Sequence, residues 1–361
     1  MSSKLTSELK EGMVTLSDVY STAGKFIMPK DTVITASIIN RLIENEVLFV
    51  EIAEGENIED AISISFDDLE LQTNNELKNT PQYKKFTRRY DKAIEDMSEH
   101  LNDIVHKNSK VDIDSMVNNT MNIIKSGSSG LNILNMMSTL KNYDDSTFNH
   151  SLNVALISNL LGKWLNLPED EVELLTACGL FHDIGKLLIP EHIIKKPGKL
   201  TEEEYSIIKT HTKKGYELLR KRNVDIHIQY SALMHHEKCD GTGYPLGLID
   251  NQIDWCAQIV TIADIYEAMT AKRVYRGPLS PFTVIKNFEE DGLKKYNPKF
   301  LLCFLEHVVN SYMNCKVMLS NGQEGDIVYI NKVRLSKPLI KTKDNFIDLS
   351  KSTDISIEKV F

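Results

Sequence analysis

The sequence predicts a mainly α protein: a helical bundle in the middle of the chain, a small N-terminal β/α module and a C-terminal β appendage. Two observations carry this. From Asp112 to about residue 315, apolar residues recur at helical spacing in one segment after another. At both ends the pattern changes to short apolar runs divided by turn-forming residues, which is the habit of strands. The 361 residues suffice for two or three domains. We divide them into a β/α module over 1–54, a polar linker and helix over 55–111, a helical domain over 112–315 and a β tail over 316–361.

In the first segment, Met13-Val14 and Phe26-Ile27-Met28 are short apolar pieces, with Ser21 and Gly24 in the polar stretch between them. A helix is predicted from Thr35 to about Asn45, with Ile38, Ile39, Leu42 and Ile43 on one face, followed by a strand over Val47–Ile52. Residues 55–80 are acidic and polar, as linkers are. The next helix, Tyr83 to about Lys107, carries charges of alternating sign and reads as a solvated face.

The bundle follows. Met116, Met121, Ile123 and Ile124 fit one helix, Gly127–Gly130 breaks it, and Leu131–Leu140 makes another. His150 starts an apolar helix, and Pro168-Glu169-Asp170 starts the one that leads to Phe181-His182-Asp183. Thr201 with Glu203 and Glu204 is a helix start, an acceptor at the N-cap with acids in the first turn, and that helix is predicted to reach His211. Asp225–Met234 leads into His235-His236, and Trp255–Met269 carries Asp264. After about Lys316, Asn321-Gly322 between apolar runs signals a hairpin.

Composition bounds the function. A net charge of −9 argues against a polymeric nucleic acid or an anionic membrane as partner, while leaving room for a local basic pocket. The five cysteines (178, 239, 256, 303 and 315) are scattered and include no CxxC, which fits reduced thiols in a cytoplasmic protein. No signal-peptide core and no run long enough to span a bilayer is apparent.

Candidate metal ligands fall on successive helices or helix ends: His150, His182, Asp183, His211, His235, His236 and Asp264. Helices of a bundle can aim single residues at one interior point. Imidazoles with carboxylates suit Fe, Mn, Ni, Co or Zn. Seven ligands exceed one ion, whereas a bridging Asp divides them between two, and two close ions can activate a shared water and clamp a phosphoryl group. His100, His106, His192, His227 and His307 stand in charged or irregular context and receive no role.

His150, FHDIGK at 181–186, His211, HHEKCDGTGYP at 235–245 and ADIYEAMTAKRVYR at 263–276 together resemble the HD-GYP domain, a subgroup of the HD hydrolases. The resemblance covers about 112–315 and implies an HD-type bundle that cleaves cyclic di-GMP to linear pGpG, GMP or both. It implies that His150, His182, Asp183 and Asp264 hold one ion. Asp183 bridges to a second, completed by His211, His235 and His236. Iron or manganese is the expected metal, and a bridging hydroxide the expected attacking group. Lys186 would reach a non-bridging phosphate oxygen or assist the leaving group, and Tyr244, Arg273 and Arg276 would contact the nucleotide.

Two departures stand out. Some members carry a third-metal Glu where this chain has Ser146, so two ions are expected. Thr212 stands where the family often has Pro, which alters backbone stiffness and no donor atom. The resemblance also leaves a catalytically weak receptor, or an enzyme for another cyclic dinucleotide, as alternatives. Homodimers and GGDEF-type signalling proteins are the partners it suggests. The charged helix before Asp112 does not specify a coiled coil.

Overall fold

The computed structural model describes residues 80–107, 109, 112–125, 133–134, 136–137, 140, 147–196, 198–271, 279–352 and 354–360, together with 2–6, 9–10, 13, 15–16, 19–20, 26–28, 34, 38–39, 42–43, 47 and 49–52. The chain forms two compact units, Met1–Asp68 and Leu69–Phe361.

In the first unit, β1 (Ser2–Leu5) pairs antiparallel with β4 (Phe49–Ile52), and β2 (Val19–Tyr20) with β3 (Phe26–Met28). Along β4, exposed Phe49 and Glu51 alternate with buried Val50 and Ile52, the period-2 pattern of a strand with one covered face. Leu9, Ile27, Ile34, Leu42 and Val47 join them in a small core. The described part of the predicted Thr35–Asn45 stretch is helical at 38–39 and 42–43. Ile43 departs from expectation: it is 59% exposed, whereas its neighbour Leu42 is fully buried.

The second unit opens with α1 (Pro81–His106), whose N-cap Thr80 accepts from the Tyr83 amide. The alternating charges do line a solvated face, but the other side is an unbroken stripe. Tyr83, Phe86, Tyr90, Ala93, Met97, Leu101 and Ile104 are buried at three- and four-residue spacing. This stripe joins the core of the bundle, so the helix packs as part of it. Then come α2 (Ile113–Ile124), α3 (Thr147–Trp164) and α4 (Glu169–Phe181). After a 3₁₀ turn (Ile184–Leu188) follow α5 (Glu202–Lys209), α6 (His211–Arg220), α7 (Ile226–Met234) and α8 (Trp255–Thr270). The helix predicted to run from Thr201 to His211 is in fact two. It stops at Lys209, Thr210 turns back to donate to the Ile207 carbonyl (2.6 Å), and His211 begins the next helix.

Helix α3, helix α8 and the second half of α4 are apolar on nearly all sides, which requires burial on nearly all sides. They form the centre of the unit. Gly179 of α4 lies against Ala155 of α3 so closely that an added Cβ would sit 2.6 Å from the Ala155 Cα. Helices α9 (Pro281–Asn287) and α10 (Pro298–Ser311) flank this centre. A five-stranded antiparallel sheet ends the chain: β5 (Lys316–Leu319), β6 (Glu324–Tyr329), β7 (Leu339–Thr342), β8 (Phe346–Asp348) and β9 (Ile357–Val360), in spatial order β8-β7-β6-β5-β9. The predicted turn at Asn321-Gly322 joins β5 to β6, with Gly322 at φ +80°. The tail is continuous with the bundle: Val317, Leu319, Ile327, Ile340 and Ile357 are buried in the same core. Among the described residues, no helix is long and apolar enough to cross a membrane.

Candidate metal centre

The seven predicted ligands converge. His150 lies in the first turn of α3, and His182 and Asp183 follow the last residue of α4. His211 opens α6, His235 and His236 follow α7, and Asp264 sits midway along α8. All are buried except the half-buried His236. Asp183 is at the middle. Its Oδ1 lies 3.3 Å from His211 Nε2 and 3.6 Å from His235 Nε2. Its Oδ2 lies 3.3 Å from His182 Nε2 and 3.4 Å from His150 Nε2, and His150 Nε2 is 3.0 Å from Asp264 Oδ1. The donors fall into two groups, Asp183 with His211, His235 and His236, and His150 with His182 and Asp264, each within 4.8 Å.

The glycine of FHDIGK makes this convergence possible. A Cβ on Gly185 would collide with the His211 carbonyl oxygen and come within 2.7 Å of the Gly215 amide nitrogen. With no side chain there, the turn after Asp183 closes onto α6 and brings the carboxylate to His211.

The imidazoles are oriented from behind. Nδ1 of His182 donates to the Gly179 carbonyl (2.7 Å), that of His211 to the Ile208 carbonyl (2.7 Å), and that of His235 to the Ser231 carbonyl (2.9 Å). A carbonyl only accepts, so each Nδ1 carries a proton, which leaves Nε2 of the neutral ring as the lone pair toward the interior. The Nε2 atoms of His211 and His235 then face each other at 3.2 Å. Asp183 Oδ1 and His182 Nε2 are buried with no hydrogen-bond partner among the described residues. Buried lone pairs aimed at one another and at a carboxylate are costly unless a cation lies between them. The donor set therefore fits divalent metal ions, and Asp183, with one oxygen toward each group, fits a bridge.

The charges agree with that arrangement. Burial opposes ionisation of Asp183, but Lys186, His182 and His150 outweigh it and hold the carboxyl well below its usual range. Asp264 is also held low: burial is outweighed by His150, His182 and His236. Burial, with the neighbouring imidazoles His182 and His211, depresses His235 to about 4 and keeps it neutral. His236 is lowered by burial and by His235. His150 is the exception. Burial is outweighed by Glu267, Asp183 and Asp264, which push it well above its ordinary value.

The rim carries the predicted phosphate and nucleotide contacts. Lys186 Nζ is 2.5 Å from Asp183 Oδ2 with its side chain 26% exposed. The Tyr244 ring stacks on His236, centroids 4.6 Å apart. Lys209 Nζ lies 5.1 Å from the Tyr205 centroid and 5.9 Å from that of Tyr244. Arg273, Arg276 and Ser146 lie outside the described residues. Thr212 is buried and donates to the Lys209 carbonyl (3.0 Å).

Two positioning residues, Glu237 and Glu267, escaped the sequence reading, whereas Gly243 was expected to permit a tight turn beside the ligand. Glu237 is buried and accepts from the amides of Leu246 (2.7 Å) and Leu248 (3.0 Å), which ties down the glycine loop bearing Tyr244. Gly243 permits that loop to lie against 236–238; a Cβ there would sit 2.6 Å from the His236 carbonyl oxygen. Glu267 accepts from His150 Nδ1 (2.6 Å) and from Asn153 Nδ2 (3.2 Å). The available signals were the Glu of HHE and the second acid on an apolar helix, one turn after Asp264. Of the histidines without an expected role, His227 pairs with Asp254 (2.7 Å), whose other oxygen caps α8 through the Cys256 amide (2.9 Å).

The HD domain family matches residues 132–300. The matched residues are similar to HD domains and include all seven candidate ligands. Segments of this chain are 32% identical over 212 residues to the cyclic di-GMP phosphodiesterase PA4108 of Pseudomonas aeruginosa, a match covering 58% of this chain and 51% of the relative. They are 36% identical over 179 residues to a cyclic di-GMP phosphodiesterase of Thermotoga maritima, covering 49% and 48%. A third relative is the 3'3'-cGAMP-specific phosphodiesterase 1 of Vibrio cholerae, 43% identical over 135 residues, covering 37% and 31%. The chain thus spans about half the length of the first two relatives and less of the third.

Proposed function

We propose that this protein is a metal-dependent phosphodiesterase that opens cyclic di-GMP to linear pGpG, with or without further cleavage to GMP. The observation that carries this reading is Asp183, a buried, charged carboxylate between two groups of inward-aimed ligands, with a lysine and a tyrosine on the open side. His150, His182, Asp183 and Asp264 would hold one ion, and Asp183, His211, His235 and His236 the other; iron or manganese suits the mixed imidazole and carboxylate donors. When bound, two such ions supply an activated water at neutral pH and positive charge for the phosphoryl oxygens.

The chain's own residues do the rest. Asp183 is held ionised by Lys186 and its imidazole neighbours, so it needs no proton loss to serve as a bridge. The Lys186 ammonium, at the exposed edge of the site, can turn from Asp183 to a non-bridging phosphate oxygen or support the departing 3′ oxygen. Tyr244, stiffened by its stack on His236 and by Glu237 behind its loop, presents a ring beside the site for a nucleobase. Arg273 and Arg276 are proposed nucleotide contacts on their motif alone. The five free cysteines favour a cytoplasmic setting.

A second reading, a different cyclic dinucleotide, is favoured by the 43% identity to a cGAMP-specific relative. The complete donor set speaks against a receptor without turnover. The deciding experiment reconstitutes metal-depleted protein anaerobically with iron or manganese. It then follows cyclic di-GMP, 3'3'-cGAMP and cyclic di-AMP side by side by product chromatography. Linear pGpG or GMP formed fastest from cyclic di-GMP supports the first reading. Faster cGAMP cleavage selects the second, and binding without product from any of the three rejects both.

A further inference from the structure

We infer that Tyr90, on the helix that opens the second unit, is a positioning residue for one half of the metal centre. It acts through Asn153 and Glu267 on His150. This inference rests on the proposed metal site and concerns what holds that site in shape.

Four side chains from three helices form one hydrogen-bonded line. The Tyr90 hydroxyl on α1 donates to Asn153 Oδ1 on α3 (2.8 Å). The Asn153 amide donates to Glu267 Oε1 on α8 (3.2 Å). His150 Nδ1 on α3 donates to the other carboxylate oxygen, Glu267 Oε2 (2.6 Å). His150 Nε2 points at Asp264 and Asp183. Tyr90 is 2% exposed, Glu267 7% and His150 6%, so water competes poorly along the line.

Chemistry fixes the direction of each bond. A carboxylate only accepts, so the Asn153 group facing Glu267 is its NH2, and its carbonyl therefore faces Tyr90. The tyrosine hydroxyl must be the donor there. Its bond holds the amide in the one orientation that can also serve Glu267. Glu267 in turn sets which way the His150 ring faces and how basic Nε2 is, the usual office of an outer partner to a metal-bound histidine.

The line is also selective. His182, His211 and His235 are oriented by backbone carbonyls three or four residues before them in the chain. Their alignment comes with the local fold, whereas that of His150 depends on α1 and α8. A slide of α1 by the rise of one helical residue, about 1.5 Å, would break a 2.8 Å hydrogen bond. The affinity of the His150 side is thus tied to the seating of α1.

The test is a manganese titration of metal-depleted protein, with the two binding steps assigned by His150→Ala and His211→Ala. Tyr90→Phe keeps the buried ring and removes only the hydroxyl. It should weaken the step that His150→Ala removes by about 2- to 10-fold, the range of one hydrogen bond. It should leave the His211 step unchanged and lower the unfolding midpoint of the metal-free protein only slightly, by the loss of one hydrogen bond. Cobalt substitution should show altered ligand-field bands in Tyr90→Phe. Asn153→Ala should weaken the same step at least as much. Because the line is serial, adding Tyr90→Phe to Asn153→Ala should change nothing more. Equal weakening of both steps, full additivity of the two substitutions, or an unchanged His150 step would overturn the inference. If the unsubstituted protein bound metal tightly but cleaved no cyclic dinucleotide, the proposed activity would fall and this inference would stand. If it bound no metal, both would fall.

Discussion

The two halves of the candidate metal centre are built on different plans. The half formed by His211, His235 and His236 has two rings fixed by carbonyls of the chain just before them, at Ile208 and Ser231. In the half formed by His150, His182 and Asp264, His182 is likewise held by the nearby Gly179 carbonyl, but His150 depends on distance. Glu267, which orients His150, is 117 residues away in sequence and belongs to another helix. The first plan needs only that a helix form. The second needs α3 and α8 to cross in register, with α1 seated over them. Local construction makes a site robust, and long-range construction makes it adjustable.

Asp183→Asn is the substitution that abolishes the contrast, because Asp183 serves both halves. It should eliminate both metal-binding steps and reduce turnover by about 10³-fold or more, since charge stabilisation at such a site is worth several kcal/mol. The helices should survive, because the change keeps the shape of the side chain. Circular dichroism and a melting curve check the fold, and metal analysis with product chromatography checks the rest. Cyclic dinucleotide cleavage persisting in this variant would remove Asp183 from the reaction.

Glu267→Gln sharpens the contrast by touching one half alone. Loss of such an outer partner should cost about 10- to 100-fold in metal affinity at the His150 side. Among the described residues, His211 and His235 have no equivalent side-chain partner. Their supports are backbone carbonyls, which side-chain substitution does not remove. Ser231→Ala, at the residue whose carbonyl holds His235, should leave both affinities unchanged, because its hydroxyl has no partner among the described residues. Comparing the two variants in one titration decides whether the asymmetry is energetic or only geometric.

The same difference explains what the sequence could disclose. All seven candidate ligands were legible because imidazoles and carboxylates on apolar helices stand out from their surroundings, and the structure brings the seven together. Glu267 and Asn153 were not singled out. Their roles arise from the crossing of α3 and α8, and helical periodicity says nothing about crossings. The charges of α1 drew attention to its wet face, although Tyr83, Phe86, Tyr90 and Met97 already marked a buried one. The split of the 201–211 helix was hidden because Thr210 and His211 are unremarkable within a helix. What broke it was the seating of α6 against Gly185, a tertiary demand. The tail read correctly as strands. That it completes the bundle's core could not be seen from alternation alone, since alternation shows that a face is covered and not by what.

Protons should report the asymmetry with an effect of about tenfold per pH unit. In the metal-free protein, His150 is held well above its ordinary value and is charged at pH 7, whereas His235, depressed to about 4, is neutral. A metal must displace the His150 proton, and none is displaced from His235. Metal affinity at the His150 side should therefore rise with pH through the neutral range, up to about tenfold per unit for one proton released. The metal-free fold responds with opposite signs. The raised His150 contributes stability below the unfolded value, near 6.5, that is lost as pH rises through its folded value. The depressed His235 withdraws stability as pH falls below 6.5. Calorimetric titrations in buffers of different ionisation enthalpy count the protons directly. Equal release at both steps would mean that the halves are electrostatically alike.

The smallest effect belongs to the rim, where neither plan applies and side chains are held by rings. Lys209 lies between Tyr205 and Tyr244, two residues before His211, so it sits beside the robust half without facing its interior. An ammonium over aromatic faces at an exposed site contributes little by itself, about 0.5–1 kcal/mol. Its use would be to place positive charge and two tyrosine rings where a nucleotide enters. Lys209→Gln should therefore weaken cyclic dinucleotide binding by about two- to fivefold, a loss on the scale of one such contact. It should leave metal stoichiometry and both metal affinities intact. Fluorescent-nucleotide titration against the metal-loaded protein measures the first, and metal analysis the second. A change in metal content would show that Lys209 belongs to the construction of the centre. An unchanged nucleotide affinity would confine its cation to the surface of α5.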